Sequence, residues 1–217
     1  MVLVVALLAV LLMSALVAAV VSVSAAETVI AANFRAAQEG LAAADAAAER
    51  ALGDLASTPD WNQVLNGVAQ STFVDGAPGG TRLLADGQSI DLSKTVNLAN
   101  CGRPTACTTS AMALVTSERP WGPNNPHWQL YAYGKLEDVL PGSVIDFPYY
   151  AVVMVGDDPS EIDDDPLNDA PVGSPGSGIV ALRVEVFGPR AVHRVLELIV
   201  GRASAGSIRL VAWHALS

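Results

Sequence analysis

The residues best suited to chemistry are acidic and lie close together in the last third of the sequence. Seven of the 22 acidic residues fall between Asp157 and Asp169, and no lysine or arginine lies among them. Carboxylate oxygens at several short spacings suit Ca²⁺, which binds about six to eight oxygen ligands. We therefore expect this segment to bind Ca²⁺ through a set of acidic side chains: Asp157, Asp158, Glu161, Asp163, Asp165 and Asp169.

The acidic segment is not an EF-hand loop, because Pro166 stands close to the position where that loop needs glycine. A solvated acidic loop without a metal is the simpler interpretation, and the sequence leaves both open. Outside the segment, 15 acidic residues face 12 basic ones, so most of the net charge of −10 is local. This acidity argues against a nucleic-acid partner, which attracts basic surfaces.

No other group of residues predicts catalysis. His127, His193 and His214 are scattered along the chain, and structural roles are favoured for them. The sequence contains no nucleophile elbow, Walker loop, zinc signature or dinucleotide-binding fingerprint. Trp121 lies in a loop with two prolines and is expected to cap the core, with glycan binding as a weaker alternative. We predict that the protein is not an enzyme.

The two cysteines, Cys101 and Cys107, are separated by five residues that include glycine and proline. Such a segment can turn back on itself, and behind an export segment the compartment is oxidising, so a disulfide is favoured. A metal site would need more ligands, and a redox motif would need a shorter gap. A loop this small stabilises the fold by roughly 2 kcal/mol.

A predicted antiparallel sheet over residues 127–217 carries the acidic loop, 157–169. The loop follows Tyr149–Val155, a nearly unbroken apolar run typical of a central strand. Four further runs predict strands: Trp128–Tyr133, Gly178–Phe187, Val192–Val200 and Ile208–Trp213. Alternation within the third of the five strands predicts one polar face, with Arg183 and Glu185, and one apolar face that needs a cover.

Residues 57–126 are predicted to form an irregular connecting region with a few short helices and strands. Ser57 to Asp60 predict a helix cap, followed by a short helix from Pro59 to about Asn66. Asp86 and Gly87 predict a two-residue hairpin turn between short strands. Residues 112–116 are a candidate for one more strand.

The cover for the sheet is expected to come from the N-terminus. Residues 1–26 contain no charge and are long enough to cross a bilayer as a helix. Residues 27–56 contain no proline and are rich in helix-forming residues, so one helix should continue to about Leu55. Its second half is amphipathic, with a stripe at spacings of three and four: Ile30, Phe34, Ala37, Leu41, Ala44, Ala48, Ala51 and Leu55. The predicted fold class is α+β, with this helix packed on the sheet or against neighbouring copies.

Two other interpretations of the apolar segment stay open. A cleaved secretory signal would have a shorter apolar run with basic residues before it, although Ser24 to Ala26 resemble a cleavage site. A lone membrane anchor explains the apolar run as well as a filament does.

The N-terminal helix resembles that of type IV pilin-like proteins, and more narrowly of PilX-type pilus assembly proteins. The resemblance rests on three segments: residues 1–8, 33–38 and 42–50. It implies a precursor whose short basic leader is removed after a glycine by a prepilin peptidase. It departs from the major pilins at Val5, where they usually carry glutamate, and this departure points to a minor or specialised subunit. The small cysteine loop also differs from the large C-terminal disulfide loop of many pilins.

The resemblance implies a structural subunit of a surface filament, or of its assembly machinery, held in the inner membrane before assembly. Its partners would be copies of itself or other pilins. Apolar residues on the first half of the helix would polymerise: Met1, Val5, Leu8, Leu12 and Leu16. The alternative is a single-pass, membrane-anchored extracytoplasmic binding or sensor domain.

Overall fold

A computed structural model of the chain describes residues 1–139, 148–161, 163–169, 171–203 and 207–216. The chain has an α+β fold with a long N-terminal helix and a five-stranded antiparallel sheet. It divides into two compact units, Met1–Glu39 and Gly40–Ser217.

The first helix, α1 (Val2–Ser57), runs without interruption through both units. It is rich in alanine, leucine and valine and contains no proline, so nothing in it blocks the backbone ladder. The helix ends where the hydroxyls of Ser57 and Thr58 both donate to the carbonyl oxygen of Asp54. The predicted cap at these residues is therefore wrong, because they close α1 instead of opening the next helix.

The first unit exposes almost all of its apolar side chains. Leu8 and Leu12 are 60% and 67% exposed, and every residue from Met1 to Ala31 is exposed. The hydroxyls of Ser14 and Ser22 donate to carbonyl oxygens four residues earlier, so these two polar groups are satisfied within the helix. In the part of the chain that the structure describes, α1 is the one helix long and apolar enough to cross a membrane.

The segment between α1 and the sheet is more regular than the sequence predicted. It contains α2 (Asn62–Leu65), a hairpin of β1 (Thr81–Leu83) and β2 (Ser89–Asp91), α3 (Leu92–Cys101) and α4 (Thr109–Met112). Helix α3 was missed entirely, although Asp91 caps its first turn and Gly102 ends it in the left-handed conformation.

Three other predictions for this segment need correction. Helix α2 begins at Asn62, later than the predicted Pro59. The hairpin exists, but Leu84 bonds Gln88, so the connection is longer than the predicted two residues. Residues 112–116 form no strand: Met112 ends α4, and the side chain of Asn125 donates to the carbonyl oxygens of Met112 and Leu114.

The sheet contains β3 (Gln129–Lys135), β4 (Tyr150–Asp157), β5 (Ile179–Gly188), β6 (Val192–Arg202) and β7 (Ile208–Leu216). The strands lie in chain order and every neighbouring pair is antiparallel. All five were predicted within a few residues. The first edge, β3, is covered by residues 71–75, which bond to it, whereas the outer edge of β7 has no partner strand among the described residues.

One face of the sheet packs on the second part of α1. The helix contributes small side chains at helical spacing: Gly40, Ala43, Ala44, Ala47, Ala48, Ala51 and Leu55. They meet buried branched residues of the strands, including Leu182, Val184 and Leu196. A Cβ atom at Gly40 would lie 2.9 Å from Val192, so the helix approaches the sheet closely there. The predicted stripe is thus correct from Ala44 onward, while Ile30 and Phe34 are each 66% exposed.

The other face of the sheet is not simply polar, contrary to the sequence prediction. Over β3 and β4 it is apolar and covered by β1–β2 and α3, in a second core that includes Leu92, Tyr133, Val152 and Met154. Over β5 and β6 it carries the predicted Arg183 and Glu185. Glu185 is only 5% exposed, so this carboxylate is buried although it lies on the polar part of the face.

The close packing of α1 predicts a difference between two substitutions in the same helix. Ala47→Glu should lower the free energy of unfolding by about 3–5 kcal/mol, because it places an unpaired charge at a fully buried site. Ala42→Glu, at an exposed position, should change it by less than about 0.5 kcal/mol. Urea unfolding of the full chain in detergent, followed by tryptophan fluorescence, measures both. Equal losses would contradict the packing.

Candidate functional site

The first candidate site is a cluster of three carboxylates where β4 ends. Asp157 is the last residue of β4, and Glu161 and Asp163 follow in the loop. Each offers one oxygen, and these oxygens lie within 4.8 Å of one another. The backbone brings them together through a tight turn, in which Glu161 N–H donates to the carbonyl oxygen of Asp158 at 3.1 Å. Half of the predicted calcium ligands therefore converge.

The cluster is unusually buried for acidic residues. Asp157 and Glu161 are 4% and 2% exposed. Burial, and then the charge of Glu161, raises the pKa of Asp157 to about 8, although the Asp158 N–H lowers it in part. Oδ1 of Asp157 is buried and accepts no hydrogen bond from the described residues. A buried carboxylate oxygen without a partner is costly, and a cation is one partner that could satisfy it.

Gly176 shapes one wall of this cluster. Its φ is +87°, and a Cβ atom there would lie 2.3 Å from Cγ of Glu161, so no larger residue fits without displacing that side chain. Asp163 is exposed, and its Oδ1 accepts a hydrogen bond from Asp165 N–H at 3.0 Å. The cluster is thus confined beside Glu161 and accessible to water at Asp163.

The other three predicted ligands have different roles. The carboxylate of Asp158 accepts hydrogen bonds from the backbone and hydroxyl of Ser160. Asp165 is exposed and accepts from the side chain of Asn168 at 2.8 Å. Asp169 accepts from Gly178 N–H at 2.7 Å, which closes the loop onto the start of β5. None of these three belongs to the convergent group.

The loop that contains the cluster is attached to α2. Asp169 N–H donates to Oδ1 of Asn62 at 2.8 Å, and the amide of Asn66 donates to the carbonyl oxygen of Leu167 at 3.0 Å. Arg202, at the end of β6, donates to the carbonyl oxygens of Thr58 and Pro59, and its guanidinium lies over the ring of Trp61 at 4.4 Å. The acidic loop is therefore held against the chain that leaves α1.

The second candidate site is a groove of about 890 Å³ over the polar part of the sheet. Its floor comes from β5, β6 and β7, and its rim comes from α3 and the loop that contains Trp121. Trp121 is 43% exposed and lines the groove, so the prediction that it caps the core is wrong. The disulfide between Cys101 and Cys107 joins the end of α3 to the following loop at this rim, as the sequence led us to expect.

A network of charged residues forms the polar floor of the groove. Arg183 donates to Glu185 and to Glu197, each at 2.7 Å, and His193 bonds the second oxygen of Glu185 at 2.9 Å. Burial alone would raise the pKa of Glu185, but the hydrogen bond to His193 and the charge of Arg183 outweigh it and lower the pKa below its ordinary value. These carboxylates are engaged within the protein, so the network reads as structural.

Arg119 supports the rim of the groove from beneath. It donates to three carbonyl oxygens, those of Ala99, Met112 and Pro126. Burial, together with the positive charge of Arg183, lowers its pKa to about 10. Arg119 also lowers the pKa of the buried His127, in addition to the effect of burial. Structural roles for His127 and His193 agree with these contacts, and His214 lines the groove.

Comparison of the chain with family models, with curated proteins and with solved structures finds no match. The function is therefore inferred from the geometry of α1, of the acidic cluster and of the groove.

The Glu185 network predicts a pH-dependent contribution to stability. Because the pKa of Glu185 lies below its ordinary value of 4.5, its stabilisation is complete above pH 4.5 and is lost as the pH falls through the folded-state pKa. Glu185→Gln should lower the free energy of unfolding by about 1.5–3 kcal/mol at pH 7, and this difference should disappear towards pH 3. Thermal unfolding of the full chain from pH 3 to pH 7 measures it.

The control is Glu137→Gln, which removes an exposed carboxylate beside Lys135. It should shift stability by less than about 0.5 kcal/mol across the range. A loss from Glu185→Gln that does not change with pH would contradict the charge-based account.

Proposed function

We propose that this protein is a structural subunit of a type IV pilus-like surface filament, or of the machinery that assembles one. The observation that carries the proposal is α1 itself. One helix has an exposed beginning that is uncharged and mostly apolar, and a later part, from Gly40 to Leu55, that belongs to the core of an α+β domain. A subunit that polymerises through its helix needs both properties in one element.

The physical basis of assembly is an exchange of apolar surroundings. Helices covered by valine and leucine can leave lipid and pack against one another in a filament core at little cost. Small residues such as Ala15 and Ala18 let neighbouring helices approach closely. The proposed polymerising residues are all available on the surface of the first unit, with exposures from 59% upward: Met1, Val5, Leu8, Leu12 and Leu16.

Membrane tethering without polymerisation is the second candidate function. It is favoured by the same apolar helix, which is sufficient in length and hydropathy for a single membrane span. In that case the protein is an anchored extracytoplasmic domain that presents its groove or its acidic loop to a partner. Both candidates place the unassembled chain in a membrane, and they differ in whether α1 also packs against copies of itself.

Microscopy of the cell surface separates the two candidates. Cells that produce the full chain together with filament assembly machinery should carry helical polymers that an antibody against the sheet domain labels in negative-stain images. The sheared surface fraction should then contain the protein. If the protein stays in the membrane fraction and no labelled polymers form, it is an anchored domain and not a filament subunit.

Bulky substitutions in α1 give a sharper distinction. The double variant Ala15→Leu and Ala18→Leu keeps the helix apolar, so membrane insertion should be unchanged, but it should reduce sheared filaments by tenfold or more because neighbouring helices cannot approach closely. Leu11→Ile, at an exposed position outside the proposed polymerising set, preserves side-chain size and serves as the control. Quantitative immunoblots of the membrane and sheared fractions measure both. Unchanged filament yield in the double variant would contradict close helix packing at these alanines.

A further inference from the structure

The cluster at the end of β4 has the donor set of a hard cation. We propose that Asp157, Glu161 and Asp163 bind a calcium ion. This inference goes beyond the filament proposal and does not depend on it, since every residue involved belongs to the second unit.

The distances within the cluster fit a single ion. Calcium binds oxygen at about 2.3–2.6 Å, so two oxygens on one ion are separated by at most about 4.6–5.2 Å. The three carboxylate oxygens lie within 4.8 Å of one another, so small adjustments of the side chains bring all three within reach of one ion. All three donors are oxygen atoms, which suit calcium better than the softer transition metals.

The burial of Asp157 is a second and independent indication of a ligand. The residue is 4% exposed, and within the described residues its Oδ1 accepts no hydrogen bond. Buried polar atoms in folded proteins nearly always have a partner, since leaving one unpaired costs free energy. An acidic loop that is merely solvated would place this oxygen in water.

The open side of the cluster provides the rest of the coordination. Asp163 is exposed, so water can reach the cluster beside this residue. Calcium needs about six to eight oxygens, and water can supply the positions that three carboxylates leave. Gly176 limits the space beside Glu161, because a Cβ atom at this position would clash with that side chain.

A bound ion would connect the end of β4 to the loop that docks on α2. Asp157 belongs to the sheet, whereas Asp163 belongs to the segment that continues to Leu167 and Asp169, which bond to Asn66 and Asn62. Calcium therefore fixes this loop relative to the sheet. We expect it to slow proteolytic cleavage between residues 158 and 178.

The test is thermal unfolding of the full chain in detergent with EDTA, with CaCl₂ or with MgCl₂. Calcium at a hundred times its dissociation constant should raise the Tm by about 5–10 °C, because it binds the folded state alone. Magnesium at the same concentration should have a smaller effect, since it demands shorter, octahedral coordination. No shift with calcium, or equal shifts with the two ions, would overturn the assignment.

Neighbouring variants separate a defined site from general neutralisation of an acidic surface. Asp163→Asn removes one ligand charge at an exposed position, so the fold should tolerate it, and it should weaken calcium binding about tenfold or more in isothermal titration. Asp157→Asn should abolish the response. Asp164→Asn is the matched control, because it removes the adjacent charge at a φ of 58° that asparagine accepts, and binding should change by less than twofold.

The same variants test the calcium site independently of the filament proposal. Equal loss of binding in Asp163→Asn and Asp164→Asn would overturn the site, whatever the protein assembles into. Calcium binding that is lost in Asp157→Asn and kept in Asp164→Asn supports the site even if no filaments form.

Discussion

The contact between the alanine-rich face of α1 and the sheet is the constraint on which the second unit depends. Alanine and glycine give the helix little side-chain bulk, so the branched residues of β5 and β6 fill the space between helix and sheet. This packing requires the backbone of α1 to lie close to the sheet, as the position of Gly40 beside Val192 illustrates. Closely packed interiors are destabilised when a side chain gains volume. Larger residues on this face of α1 should therefore destabilise the domain.

Several attachments extend from this contact to the rest of the domain. Asp54, near the end of α1, accepts hydrogen bonds from Ser71 and from the backbone of Thr72, and so holds the segment that covers the edge of β3. Burial would raise the pKa of Asp54, yet these bonds and the charge of Arg50 lower it overall. Just after α1, Asn62 and Asn66 hydrogen-bond to the acidic loop at Asp169 and Leu167. The helix, the edge cover and the carboxylate cluster are therefore mechanically linked.

The sequence predicts the sheet well because its signals are local. Alternation and unbroken apolar runs locate all five strands, and the absence of charge and proline locates α1. It does not predict that the other face of the sheet is apolar over β3 and β4, because the cover there comes partly from α3, a ten-residue helix marked in the sequence mainly by its caps at Asp91 and Gly102. Composition identifies the acidic loop, but not which of its carboxylates converge. That selection depends on a turn at Asp158 and on the distant Gly176, and neither leaves a periodic pattern.

The two edges of the sheet, at β3 and at β7, differ in how they are protected. Residues 71–75 bond to the β3 edge, whereas within the described ranges no strand pairs with the outer edge of β7, where Leu210, Val211 and Trp213 are exposed. Soluble proteins usually protect such a margin with charges or prolines, and β7 has only Arg209 and His214 for that purpose. Because this edge is poorly protected, we expect monomers at high concentration to associate by pairing one β7 edge with another. Handling of the purified chain has to allow for that tendency.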